Sequence, residues 1–126
     1  MKQSALATRI LLGSIFVVFG LNGFLHFLPQ PAMPEGAISF FGALAMTGYF
    51  LPLLFGTQIV GGVLLLAGMV PLALVILAPI IVNIVSFHVV LAPGGLPLAV
   101  VVAAAALFLG YVHRESFRPL LSQRSV

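Results

Sequence analysis

Apolar residues run almost without interruption along this chain, and the polar positions fall into a few short clusters. Between Glu35 and Arg114 there is no Lys, Arg, Asp or Glu. This stretch is long enough for about three membrane crossings of roughly 20 residues each, and another apolar run precedes it. The pattern predicts an all-α integral membrane protein that forms a four-helix transmembrane bundle.

Prolines and glycines divide the apolar sequence into segments. A proline ends a helix that precedes it and suits the first turn of a helix that follows it. Pro29 therefore marks the end of the first span, and Pro52 and Pro97 mark the starts of two others. A single transmembrane domain is predicted over residues 1–126, with a cytoplasmic, partly disordered tail over 113–126. The predicted spans cover residues 7–28, 51–69, 71–92 and 96–112.

The segment 37–50 is apolar and aromatic but short for a span. About 14 residues are more typical of an interfacial or re-entrant segment than of a membrane crossing. We predict a short helix on the outer face that covers the bundle. The alternative joins this segment to the next span as one long tilted helix with a break at Pro52.

The basic residues lie near the two ends of the chain. Positive residues mark the cytoplasmic side of a membrane protein, so both termini are predicted to be cytoplasmic, which requires an even number of spans. The net charge of +3 does not indicate nucleic-acid binding, because the basic residues are not clustered among aromatic and polar ones. The chain has no cysteine, which excludes thiol chemistry. The basic residues are Lys2, Arg9, Arg114, Arg118 and Arg124.

Polar side chains recur at one depth of the predicted bundle, in the outer half of three spans. An unpaired polar group in hydrocarbon is costly, so such groups turn to the bundle interior and find partners. Histidine can donate or accept a hydrogen bond at one ring nitrogen. The pattern predicts a small pocket for a polar head group such as a quinone carbonyl or a phenol. The candidate ligand-binding residues are Asn22, His26, Gln58, Asn83 and His88.

Other interpretations of these residues remain open. Interhelical hydrogen bonds that brace the bundle are common for Asn, Gln, Ser and Thr, and Thr57 and Ser86 lie at the same depth. His88 lies about 140° around its helix from Asn83, at about 100° per residue. His26, His88 and Glu35 have the donor types of a zinc or iron site. No metal-binding spacing on one helix supports such a site, and no metal is predicted.

The chain resembles the DoxX-like family of small bacterial membrane proteins. The resemblance rests on R-I-L-L-G-S-I-F-V-V-F-G-L-N-G-F at Arg9–Phe24 and on H-F-L-P at His26–Pro29, together with the four spans. It implies a four-helix bundle in the bacterial inner membrane, associated with membrane redox systems such as thiosulfate–quinone oxidoreductases. The family often has a polar or basic residue after a glycine at this place, which Gly20, Asn22 and Gly23 take in this chain, so the polar position here carries no charge. No catalytic residues are carried over.

Two functions follow from these observations. The first is an accessory or quinone-binding subunit of a membrane redox system, whose polar residues face one cavity. The second is a non-enzymatic scaffold, anchor or assembly factor, whose polar residues pair with each other and leave no cavity. The expected partners are the lipid bilayer, a membrane redox protein and a second copy of the chain. Whether the chain catalyses a reaction is left open.

Overall fold

The computed structural model describes residues 1–122, and within them the chain is helical with no β-strand. Four helices are long and apolar enough to cross a membrane, which confirms the predicted helical class. A short 3-10 turn, Pro93–Gly95, precedes the fifth helix. The helices are α1 (Lys2–Leu25), α2 (Glu35–Met46), α3 (Phe50–Ala67), α4 (Val70–Val90), α5 (Leu96–Val112) and α6 (Arg114–Ser122).

The four long helices form a closed bundle. Helix α1 packs against α3, α3 against α4, α4 against α5, and α5 returns to α1. The tightly packed core fills one half of the bundle, where Phe16, Leu65, Leu77 and Leu109 are almost fully buried. We call this half the basic end, because Arg9 and Arg114 lie there. The other half, where α1 and α4 end and α3 and α5 begin, is the cavity end.

The closest helix pair, α1 and α3, is built on glycines. A Cβ atom added to Gly62 would lie 2.8 Å from the backbone oxygen of Gly13, and one added to Gly20 would lie 3.0 Å from the backbone oxygen of Phe55. Small residues let the backbones of two helices approach closely, as is common between membrane helices. These glycines align the polar positions of α1 with those of α3.

Helix α1 ends three residues earlier than the sequence predicts. His26 adopts the left-handed conformation, with φ 53° and ψ 46°, and its backbone N–H donates to the carbonyl oxygen of Asn22. The side-chain oxygen of Asn22 accepts a hydrogen bond from the backbone N–H of Leu28 at 2.7 Å. This local capping turns the chain before Pro29 is reached. His26 thus lies just past the last residue of α1 rather than within the helix.

The segment after the first loop forms its own helix. Helix α2 ends at Met46, Gly48 has a φ of 78°, and α3 begins at Phe50. The alternative of one long tilted helix broken at Pro52 is therefore wrong, because the break precedes Phe50 and Pro52 lies in the first turn of α3. Separation into two helices lets α2 lie across the cavity end.

The predicted tail is more ordered than the sequence suggested. Residues 114–122 form helix α6, and Phe117 packs against the bundle core. Arg118 forms an ion pair with Glu115 at 3.2 Å, one turn apart on this helix. The ordered part of the predicted tail therefore includes residues 114–122. The remainder of the predicted tail, including Arg124, lies outside the described residues.

Candidate functional site

The interior of the bundle opens into a cavity of about 1070 Å³ at the cavity end. All four long helices line it, together with α2 and the loop that joins α1 to α2. Its walls are mostly apolar, with a few polar side chains among them. Ligand-binding cavities in proteins commonly have this size and this mixture of many apolar and few polar groups.

The five candidate residues from the sequence, Asn22, His26, Gln58, Asn83 and His88, all line this cavity. His88 was expected to point away from Asn83. Ile84 and Phe87 line the cavity as well, so the cavity follows a face of α4 wide enough to include both polar residues. The tertiary structure thus brings together polar groups from α1, the following loop, α3 and α4.

Gln58 is the most deeply buried of these polar side chains. Only 7% of its surface is exposed, and it is the buried polar residue of the described chain. Its side-chain amide forms no hydrogen bond with any other residue in 1–122, although it carries two donor hydrogens and two acceptor lone pairs. The polar atoms of this amide keep some accessible surface, so they remain open to a partner in the cavity. Its unmet hydrogen-bonding capacity faces the cavity.

The other candidate residues differ in how many of their side-chain polar atoms already form hydrogen bonds within the protein. The oxygen of Asn22 is occupied by the bond to Leu28, which leaves its amide N–H groups free. Nδ1 of His88 lies 3.0 Å from the carbonyl oxygen of Ala92. The side chains of His26 and Asn83 are exposed and form no hydrogen bond within the described chain. Most of the polar atoms at the cavity are therefore available to a ligand.

Aromatic side chains of α2 and α4 border the cavity. The rings of Phe41 and Phe87 lie 5.1 Å apart, and those of Phe40 and Phe87 lie 5.7 Å apart. All three phenylalanines line the cavity. Ala37 is the buried residue of α2, and α2 contacts α3 as well as the ring of Phe87 in α4. The sequence signal for this position at the cavity is the pair of adjacent phenylalanines, Phe40 and Phe41, in a short helix.

Two other polar residues at the same depth do not contribute. The hydroxyl of Thr57 donates to the carbonyl oxygen of Leu53 at 2.7 Å, and that of Ser86 donates to Val82 at 2.8 Å. Each bond lies within one helix, so neither residue forms the interhelical bond that the sequence allowed. No three His, Asp or Glu side chains in residues 1–122 lie close enough together to hold a metal ion.

Comparison with protein-family models, with curated proteins and with solved structures found no match for this chain. Its class is therefore defined by its own fold and cavity. It is a bundle of four long apolar helices with a ligand-sized cavity at one end, which a short aromatic helix partly covers. Polar groups from several helices meet in that cavity, so the chemistry it favours is binding of a largely apolar molecule with few polar atoms.

Proposed function

We propose that this chain is a membrane protein that binds a quinone or a similar lipophilic ring compound in the cavity, as an accessory or quinone-binding subunit of a membrane redox system. The DoxX-like resemblance at Arg9–Phe24 supports the same assignment, and we propose membership of that family. The apolar walls and the rings of Phe41 and Phe87 can pack against the ring of a flat ligand. The nearby amides and imidazoles suit its oxygen atoms.

The observation that carries this proposal is the unpaired Gln58 amide. A chain that used its polar residues only as braces would pair them with each other and fill the space between them. Here the amide of Gln58, a residue that is 7% exposed, has no partner in residues 1–122 and borders the cavity. A carbonyl oxygen of a ring compound could accept a hydrogen bond from its N–H₂ group, which would contribute about 0.5–1.5 kcal/mol to binding. This contrast favours ligand binding over the scaffold alternative.

The distribution of charge supports an orientation in the bacterial inner membrane. Arg9 lies against Gly68, where α3 ends, and Arg114 begins α6 after the end of α5. These arginines are at the opposite end of the bundle from the cavity. By the preference of positive residues for the cytoplasmic side, both termini are cytoplasmic, the cavity lies in the outer half, and α2 lies at the outer surface. A redox partner protein or a second copy would contact the bundle from the membrane.

Native mass spectrometry of the protein, extracted gently from its own membranes, tests the proposal. We expect one ring compound per chain in the wild type and its loss in Gln58→Leu. Thr57→Val is the matched control, because Thr57 is the preceding residue, bonds only to its own helix and does not line the cavity. A protein that carries only bulk phospholipid, with Gln58→Leu unchanged, would contradict the proposal and favour a scaffold.

A further inference from the structure

The imidazole of His88 is restrained at the wall of the cavity. Its Nδ1 lies 3.0 Å from the carbonyl oxygen of Ala92. Its ring lies so close to the backbone of Gly95 that a side chain at that position would collide with it. The ring of Phe87 meets it edge to face, with 5.1 Å between the ring centroids. These contacts hold the ring of His88 in one orientation.

The contact with Ala92 determines which ring nitrogen carries the proton. A carbonyl oxygen only accepts hydrogen bonds, so Nδ1 of His88 is the donor. In the neutral ring, Nε2 then carries a lone pair and acts as an acceptor.

This fixed acceptor differs from the other polar groups of the cavity. The amides of Gln58 and Asn83 each carry donor hydrogens beside an acceptor oxygen, so they can meet either a carbonyl or a hydroxyl group, and Asn22 offers its free N–H groups as donors. Nε2 of His88 offers a lone pair and no hydrogen. A ligand hydroxyl group can donate a hydrogen bond to this lone pair. A carbonyl or ether oxygen has no hydrogen to donate, and its own lone pair would repel that of Nε2.

We infer that the cavity selects a ring compound that donates a hydroxyl hydrogen to Nε2 of His88, so that a phenol or hydroquinone binds more tightly than the matching ether or quinone. The inference rests on the proposed function, because it assumes a ring compound in this cavity. One net hydrogen bond corresponds to a preference of about five- to tenfold. Tenfold tighter binding of a hydroquinone would raise the two-electron reduction potential of the bound compound by about 30 mV.

The test uses two probes with the same apolar tail, 4-nonylphenol and its methyl ether. Their dissociation constants are measured with the purified full-length protein in one detergent, by equilibrium dialysis that corrects for partition into micelles. We expect the phenol to bind wild type about five- to tenfold more tightly than the ether. In His88→Phe, which keeps a ring of similar size without a nitrogen, we expect this preference to fall to near unity.

His113→Phe is the matched control. Nδ1 of His113 also lies 3.0 Å from a carbonyl oxygen of its own helix, that of Leu109. It follows α5 at the basic end and does not line the cavity, so its replacement should leave the preference unchanged. If both probes bind but His88→Phe keeps the wild-type preference, the inference is overturned and the proposed function stands. If neither probe binds wild type, the proposed function fails, and the inference fails with it.

A second measurement applies even if His88→Phe does not fold. Nitrogen NMR of wild-type protein labelled with ¹⁵N-histidine reports which ring nitrogen of His88 carries hydrogen. We expect a protonated Nδ1 and an unprotonated Nε2, and addition of 4-nonylphenol should shift the Nε2 signal, whereas the ether should not. A proton on Nε2 in the absence of ligand would overturn the inference directly.

Discussion

The side-chain oxygen of Asn22 accepts a hydrogen bond from the backbone N–H of Leu28 at 2.7 Å. This bond holds the chain where it leaves α1, and it positions the loop that forms one wall of the cavity. The side-chain oxygen of Asn22 therefore has a structural role, whereas its N–H groups are free for a ligand. A substitution of Asn22 tests the structural role through the stability of the protein.

Asn22→Leu should lower the stability of the protein by about 1–3 kcal/mol, because the N–H of Leu28 loses its partner in a partly buried position. Thermal unfolding in detergent, followed by circular dichroism, measures this loss. Ser86→Ala is the control, since Ser86 is exposed and bonds only to Val82 of its own helix. Equal melting temperatures for wild type and Asn22→Leu would mean that the turn does not depend on this bond.

His26→Gly should make the protein more stable and less able to bind a ring compound. His26 has a φ of 53°, a left-handed conformation that costs a residue with a Cβ atom about 1–2 kcal/mol relative to glycine. His26→Ala removes the ring but keeps the strain, so it should bind as poorly as His26→Gly without the gain in melting temperature. The proposed role of the ring would be contradicted by full ligand binding in both variants.

Gly62→Ala and Gly56→Ala should have opposite effects, although both lie on α3. A Cβ at Gly62 would meet backbone atoms of α1, including the Gly13 oxygen at 2.8 Å, whereas nothing lies within 4 Å of a Cβ at Gly56. We expect Gly62→Ala to cost about 1–3 kcal/mol through a forced backbone shift. Gly56→Ala should gain about 0.5–1 kcal/mol from its better helix propensity. Comparable melting temperatures for the two variants would show that α1 and α3 are not in close backbone contact.

Helix α2 should open more readily than the four long helices. It buries Ala37, and its rings contact Phe87 of α4. Regions with few buried apolar contacts open at low free energy, so backbone amides of α2 should exchange with deuterium faster than those in the middle of α3. Phe87→Ala should increase exchange in α2 further and leave that of α3 unchanged. Slow exchange throughout α2 in the variant would mean that other contacts hold it.

Helices and their approximate limits could be predicted from the sequence because they depend on neighbouring residues. In a long apolar run the backbone N–H and C=O groups form hydrogen bonds with each other within each helix, and prolines such as Pro52 and Pro97 mark where a helix begins. The same local reasoning failed at His26, because the stop came from a side-chain bond between Asn22 and Leu28 rather than from proline. It also missed α6, whose order depends on packing of Phe117 against the core.

The sequence by itself determined a chain of four long apolar helices and singled out Asn22, His26, Gln58, Asn83 and His88. The tertiary structure alone decided that these residues border one cavity, because their positions depend on how neighbouring helices pack. It also decided that Gln58 faces the cavity and Thr57 does not. Adjacent helical residues point in directions about 100° apart, and the contact of α3 with α1 determines which one faces inward. The hydrophobic pattern determines where helices form along the chain, whereas the cavity depends on the distances between helices that pack against each other.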